Sequence, residues 1–445
     1  MRLFTSLTFF CLLHAPVLSG AQLDREPQQR LQTPDDIHHD RHPGQPTPEP
    51  QAANPGVSLP FFASLERAAR LVDIAYCVGT TGISPPFSCV SRCKDFPSLH
   101  LERTWNTGIL MSDSCGYIAV DHGTGEGGGG GDGKGEREII VAFRGTYSIT
   151  NTIVDLSTVP QEYVPYPGDG DGDDDDKEPP HRCPNCTVHT GFMSSWRAAR
   201  DMVLPALHAA RARHKGYRVH LVGHSLGGAV AALAALELRL GLGWRDVYVT
   251  TFGEPRVGNK ALARYIDGAF GLDGSAPPGE EAPYRRVTHA GDPVPLLPLT
   301  EWGYRSHAGE VYIEKSELPP GPQDLRLCQG DADPECMAGA ETEDWLGWAM
   351  GWLGRGRRKW WLGGGGGSGE EEEGEDGGEV VVEKAGEMGP RGFPARLKLW
   401  QLLFAHRDYF WRLGLCLPGG DPVDWGREKY NLTKPADDGL EFGDL

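Results

Sequence analysis

A serine between glycines, Gly223-His224-Ser225-Leu226-Gly227, sits inside the stretch YRVHLVGHSLGGAV from Tyr217 to Val230. A serine hydroxyl attacks a carbonyl efficiently only when a base removes its proton and donors receive the charge that builds on the carbonyl oxygen. The pattern G-x-S-x-G meets the geometric part of that demand where a strand leads in and a helix leads out. Arg218–Val222 is an apolar run that reads as a buried strand, and Leu226–Leu240 is rich in alanine and leucine and reads as a helix. Ser225 then stands on the sharp turn between them in a strained conformation, its side chain exposed. Gly223 and Gly227 lack the Cβ atoms that would strike strand and helix there. The helix N-terminus also favours negative charge. These residues suit acyl transfer through a covalent serine intermediate; a structural turn is the plainer alternative.

The assisting groups must come from other strands. Glu138–Phe143, EIIVAF, reads as a buried strand running into Arg144-Gly145-Thr146. In an α/β-hydrolase sheet a loop of this kind supplies the second oxyanion donor, so the backbone N–H of Thr146 is expected to face that of Leu226. Asp246–Phe252 and Tyr284–His289 read as further strands, closed by Gly253-Glu254-Pro255-Arg256 and Gly291-Asp292-Pro293. An acid in a turn beyond a later strand is where such a sheet keeps the carboxylate that orients the base, which singles out Asp292. Two histidines follow, His307 and His406, and order along the chain does not choose between them. Tyr147–Pro160 spaces Ile149, Ile153 and Leu156 as a small surface helix would, either packed on the core or serving as a lid.

The positioning elements are legible in outline. Ser58–Cys77 has helical spacing, with Phe62, Leu65, Ala69, Val72 and Tyr76 on one face. His189–Arg213 is a long helix with Phe192, Trp196, Ala199, Val203 and Leu207 on one face, placed as a crossover into the serine strand and expected to kink at Pro205. Residues 1–21 have a basic start, an apolar core and small residues at Ser19 and Ala21, the pattern of a secretory signal peptide. Residues 22–57, rich in Pro, Gln, Asp and His, read as a disordered pro-segment. In a secreted chain the cysteines become interpretable: Cys11 leaves with the signal, and the nine that remain cannot all pair with one another. Cys89-x-x-x-Cys93 and Cys183-x-x-Cys186 fit metal clips or short local disulfides, and secretion favours the latter. Asn185 and Asn431 head glycosylation sequons.

Composition excludes several classes. The net charge of -19 is concentrated in two runs, six aspartates in 168–176 and seven acidic residues in 370–379, and no basic stripe is present to neutralise nucleic-acid phosphates. The glycine run Gly123–Gly135 contains dinucleotide and P-loop spacings without the strand and helix they require, and reads as a flexible hairpin insert. The aspartate run has Asp174 where a calcium loop needs glycine and Pro180 where it needs glutamate. His38, His39 and His42 have no partner cluster. No metal or cofactor is called for.

The segments FRGT at Phe143, VHTGFMSSW at Val188, GHSLGGA at Gly223, FGEPRVGN at Phe252, RVTHAGDPVPLLP at Arg286, YRSHAGEVYI at Tyr304 and AHRDYF at Ala405 occur in this order. Together, from Cys77 to Cys416, they resemble the fungal-type lipases of the class 3 lipase family. The resemblance implies an α/β-hydrolase fold with a mostly parallel central sheet and a short lid helix. It also implies His406 as the base, with His307 structural, and disulfides Cys77 with Cys416, Cys89 with Cys93, Cys183 with Cys186 and Cys328 with Cys336. Cys115 is then left over, close enough in sequence to Cys89 and Cys93 to leave that pairing open. Thr146 departs from the serine of many lipases and is shared with the related feruloyl esterases, and Thr152 replaces a lid tryptophan of some relatives.

The catalytic domain is expected at 58–418, interrupted by an insert at 337–394 and followed by a tail at 419–445. In the insert Trp345, Trp348 and Trp352 share a helical face beside Arg355, Arg357 and Arg358, which reads as a peripheral contact with a lipid surface or as packing onto the domain. The expected protein is a secreted serine carboxylic-ester hydrolase, most simply a triacylglycerol lipase acting at an oil–water interface. Ser225 would be the nucleophile, Asp292 would orient the imidazole, and Leu296, Leu297 and Leu299 with the lid residues would line an acyl groove. A feruloyl esterase and a non-catalytic lipid-surface binding protein are the competing readings.

Overall fold

The computed structural model describes residues 54–108, 114–123, 137–146, 160–165, 182–272, 279–339 and 405–425. The lid side chains Ile149, Ile153 and Leu156, the tryptophans Trp345, Trp348 and Trp352, the Asn431 sequon, the signal and most of the pro-segment lie outside them.

Strands buried on both faces belong in a covered, largely parallel sheet. In chain order the strands are β1 (Leu99–Asn106), β2 (Cys115–Asp121), β3 (Glu138–Phe143), β4 (Pro160–Glu162), β5 (Thr187–His189) and β6 (Arg218–His224). They continue as β7 (Val247–Phe252), β8 (Gly258–Asn259), β9 (Tyr284–His289), β10 (Tyr304–Arg305), β11 (Glu310–Ile313) and β12 (Leu325–Leu327). Eight form the main sheet in the order β1-β2-β3-β6-β7-β9-β11-β12, and β10-β8-β5-β4 form a small second sheet. From β3 to β11 the neighbours in the main sheet run parallel, with antiparallel strands at both margins. The register aligns Phe143 with Gly223, His224 with Phe252 and Phe252 with Val287. The turns after β3, β6, β7 and β9 therefore leave the same edge of the sheet, and these turns hold Thr146, Ser225, Gly253 and Asp292.

Helices cover both faces. The side chains of Ile139, Val141 and Phe143 join a core under α2 (Thr190–Arg213) and α3 (Leu226–Leu236), while Ile140 and Ala142 face α1 (Leu59–Ala75). Ser58 caps α1 by accepting from Phe61 N, and its face of Phe62, Leu65, Ala69 and Val72 is fully buried. Burial of each large apolar side chain contributes about 1.5–3 kcal/mol. Helix α2 continues through Pro205 as one element, with Leu204 and Leu207 buried on either side of it. Helix α3 ends earlier than its composition suggested and passes into a π-helical turn at Glu237–Gly241. There the buried Glu237 carboxylate accepts from Trp196 Nε1 at 2.8 Å and Arg200 Nε at 2.7 Å, which fixes the turn against α2.

The segment 405–425 adds no strand to the sheet and is tied to α1 by side chains. Asp73 accepts from Gly414 N and Trp411 Nε1, both at 2.6 Å, and from Arg92 Nε at 2.9 Å, while Arg92 also pairs with Asp424. Burial pushes the Asp73 carboxyl above its ordinary value, against the opposing charge of Arg92. Disulfides join Cys77 to Cys416, Cys89 to Cys93, Cys183 to Cys186 and Cys328 to Cys336. Cys115 is buried and unbridged, its thiol 2.9 Å from Asn106 Oδ1. Packed residues extend past the anticipated domain limits: Val57 N bonds the Pro322 carbonyl, Ala338 N bonds Glu310, and Asp424 is buried.

Candidate active site

Ser225 follows β6 directly and caps α3 with φ 57° and ψ −130°, a region that side-chain-bearing residues avoid. Close packing holds it there. A Cβ on Gly223 would lie 2.3 Å from the Gly227 carbonyl oxygen, and one on Gly227 would lie 2.5 Å from that of Phe143. Only glycine fits either place. Ser225 N donates to the Phe252 carbonyl at 2.9 Å, tying the turn to β7. The N–H of Leu226 opens α3 and is one of the first-turn donors that a helix cannot satisfy internally.

Asp292 and His406 meet although 114 residues separate them in the chain. The imidazole Nδ1 lies 2.9 Å from both carboxylate oxygens, so Nδ1 carries the proton and Nε2 keeps its lone pair. Asp292 Oδ1 also accepts from Val294 N at 2.9 Å, and Oδ2 accepts from the Tyr409 hydroxyl at 2.6 Å. Burial and the neighbouring Asp292 charge hold the Tyr409 phenol well above its ordinary value, so it remains a donor. A Cβ on Gly253 would lie 2.7 Å from His406 Cε1 and 3.0 Å from Asp292 Oδ2, so this turn packs directly on the pair.

His307 is placed elsewhere. Its Nε2 lies 3.0 Å from Glu254 Oε1 and its Nδ1 lies 2.7 Å from the Ala308 carbonyl, so both nitrogens are engaged. Glu254 accepts further from Thr251 at 2.6 Å and Tyr284 at 2.8 Å, completing a buried network below the site. Among the described residues His406 Nε2, Thr146 Oγ1 and Ser225 Oγ, whose side chain was expected to be exposed, are by contrast buried without a hydrogen-bond partner, and no hydrogen bond joins the serine to the imidazole. Thr146 stands beside the serine turn, for a Cβ on its neighbour Gly145 would come 3.0 Å from Ser225 Cβ.

Other expected residues are spread about. Leu297 and Leu299 belong to the main core and Leu296 is 8% exposed. The buried Arg256 pins this turn through the carbonyls of Leu296 at 2.6 Å and Pro298 at 3.1 Å, and the lid residues that would complete an acyl groove with these leucines lie outside the described residues. Asn185 is exposed at the surface in a left-handed turn. Sequence reasoning placed Tyr76 on a buried helix face but missed its role and those of Tyr409 and His224. The first two are ordinary aromatic residues on helical or loop stretches until their partners are known.

A serine on a strained strand-to-helix turn, a carboxylate-bound imidazole with a free Nε2, and a parallel sheet that delivers both at one edge define a carboxylic ester hydrolase. The model for lipase (class 3) matches residues 140–302. A secreted mono- and diacylglycerol lipase 2 of Gibberella zeae is 58% identical over 393 residues, covering 87% of this chain and 90% of that protein. A lipase A of Sodiomyces alcalophilus is 55% identical over 86% of this chain and 87% of its own. The crystal structure of the Lip2 lipase of Yarrowia lipolytica is similar at a TM-score of 0.59 and 25% identity, over 82% of this chain and 99% of that one. The chain belongs to the class 3 lipase family and, like the relatives named as secreted, is a secreted lipase.

Proposed function

We propose that the chain hydrolyses acylglycerols through an acyl-enzyme on Ser225, with partial glycerides as preferred substrates in place of the triacylglycerols expected from sequence. His406 Nε2 takes the serine proton and returns it to the leaving alkoxide; Asp292 fixes the tautomer and stabilises the imidazolium. The N–H groups of Leu226 and Thr146 receive the oxyanion, with the Thr146 hydroxyl as a further donor. The observation that carries this reading is the trio of buried polar atoms without a partner among the described residues, Ser225 Oγ, His406 Nε2 and Thr146 Oγ1. Leaving a buried polar atom unmatched costs about 1–3 kcal/mol, a cost that a reacting ester relieves by supplying the partners. The preference for partial glycerides draws support from the name of the 58% identical relative. Contact of the Trp345, Trp348 and Trp352 segment with a lipid surface belongs to the same reading, and replacing the three by alanine should weaken binding to diacylglycerol-containing vesicles.

The test is release of oleate from monoolein, diolein and triolein emulsions by wild type and Ser225→Ala. Wild type should favour the first two, and the variant should fall by at least about 10⁴-fold. A variant that keeps activity removes Ser225 as nucleophile, and a wild type that prefers triolein removes the substrate assignment alone.

A further inference from the structure

His224, the variable residue before the serine, is 1% exposed and has both ring nitrogens engaged. Its Nε2 lies 2.8 Å from the backbone carbonyl oxygen of His406 and its Nδ1 lies 2.6 Å from the Tyr76 hydroxyl. A carbonyl only accepts, so Nε2 carries the proton, Nδ1 presents a lone pair, and the Tyr76 hydroxyl donates to it. The two imidazoles stack with centroids 4.6 Å apart and planes 30° apart. We propose that His224, held in this tautomer by Tyr76, is a positioning residue that fixes the backbone of the base against the serine turn. The proposal rests on the triad reading given above.

Asp292 alone cannot perform this task. It grips one ring nitrogen of His406, the ties of segment 405–425 to α1 act further on at Trp411, Gly414 and Cys416, and among the described residues no strand ladder of the main sheet holds the segment. The His224 N–H supplies a second point of attachment, on the residue bonded to the nucleophile itself, so displacement of one catalytic group is opposed by the other. Tyr76 extends the attachment to the oxyanion side. A Cβ on Gly145 would meet the Tyr76 hydroxyl at 2.5 Å and the His224 carbonyl oxygen at 2.7 Å, so the Arg144–Thr146 turn packs on the same pair. The Tyr76 ring also abuts Gly414, where a Cβ would come within 2.9 Å, and its neighbour Cys77 is bridged to Cys416. Three turns that must agree in position thus converge on one phenol–imidazole hydrogen bond. Charge points the same way: burial, then the adjacent His406, drives His224 well below the ordinary imidazole value. It stays neutral and does not repel the imidazolium that His406 becomes during acyl transfer.

The experiment uses the full-length protein as wild type, His224→Gln, His224→Leu and Tyr76→Phe. Glutamine keeps an N–H near the position of Nε2, and leucine does not. Active sites are counted with a p-nitrophenyl phosphonate that esterifies the serine, and turnover is measured on p-nitrophenyl butyrate below its solubility limit. For His224→Leu, kcat per titrated site should fall about 10²-fold with KM unchanged, the scale of a misplaced catalytic group. Glutamine should restore it to within about tenfold of wild type, and Tyr76→Phe should lie between. A His224→Leu enzyme that yields fewer titratable sites, each turning over within twofold of wild type, overturns the proposal by making the residue merely structural. If that variant gives no titratable protein, a drop of less than twofold per site in Tyr76→Phe overturns it. A wild type that takes up no phosphonate overturns the triad reading and this proposal together, which separates that failure from the other two.

Discussion

Cutting the Cys77–Cys416 bridge with the double substitution Cys77→Ala/Cys416→Ala asks how the segment that carries His406, the proposed base, is kept in place. The bridge closes a sequence separation of 339, against 8 for Cys328–Cys336. The chain-entropy relation then gives roughly 6 kcal/mol for the first and roughly 2.5 kcal/mol for the second at 25 °C. Residual structure in the unfolded chain and the bridges that remain lower the first figure, so the measured difference between the two double variants should be about 2–3 kcal/mol. For a domain of this size roughly 2 °C accompanies each kcal/mol, which makes the additional loss in Tm about 5 °C. Activity should respond differently. The contacts of Asp73 with Trp411 and Gly414, and of His224 with the His406 carbonyl, do not depend on the bridge. They should hold kcat on a soluble ester within about threefold at 25 °C. Calorimetry and steady-state kinetics on both double variants read the two quantities separately. Equal losses of Tm would refute the loop-length reasoning, and loss of activity at 25 °C without loss of fold would show that these contacts do not hold the base.

Three further outcomes follow from the same geometry. Tyr409→Phe removes the 2.6 Å hydrogen bond to Asp292 Oδ2; with a charged acceptor it should cost about 1.5–3 kcal/mol in urea unfolding, and it should lower kcat about tenfold with little change in KM. Gly253→Ala places a methyl group 2.7 Å from His406 Cε1 at a φ of 59°, so phosphonate uptake by Ser225 should slow by about 10²-fold while circular dichroism stays native. Glu138 is held at about 2, because the Arg67 charge and the hydrogen bonds from His220 and Arg67 outweigh the upward push of burial. Its folded value is depressed, so the stabilisation is present above the ordinary value near 4.5 and is lost as pH falls from there toward 2. The amount is on the order of 3 kcal/mol, and Glu138→Gln should flatten the stability curve across that window in a pH series of urea melts.

The amino-acid sequence by itself determined strands β3, β6, β7 and β9, helices α1, α2 and α3 and the strained serine turn, and left the marginal strands and the second sheet unread. Each depends on neighbours within a few turns of chain: the apolar run into Gly223, the small residues of α3, the face of α1 capped by Ser58. Such signals are local because hydrogen-bond period, capping and steric exclusion at glycine act over a few residues. The choice between His307 and His406 was of another kind. Family resemblance implied it, but only packing shows that Glu254 and the Ala308 carbonyl occupy both nitrogens of His307 while His406 keeps Nε2 free. The hydrogen-bonding roles of Tyr409 and Tyr76 escaped notice for the same reason, since their partners lie 117 and 148 residues away. The register of the parallel strands decides which turns share an edge. The ties from α1 to segment 405–425 decide where the imidazole comes to rest. Both are set by packing between distant parts of the chain, which no local pattern of residues encodes.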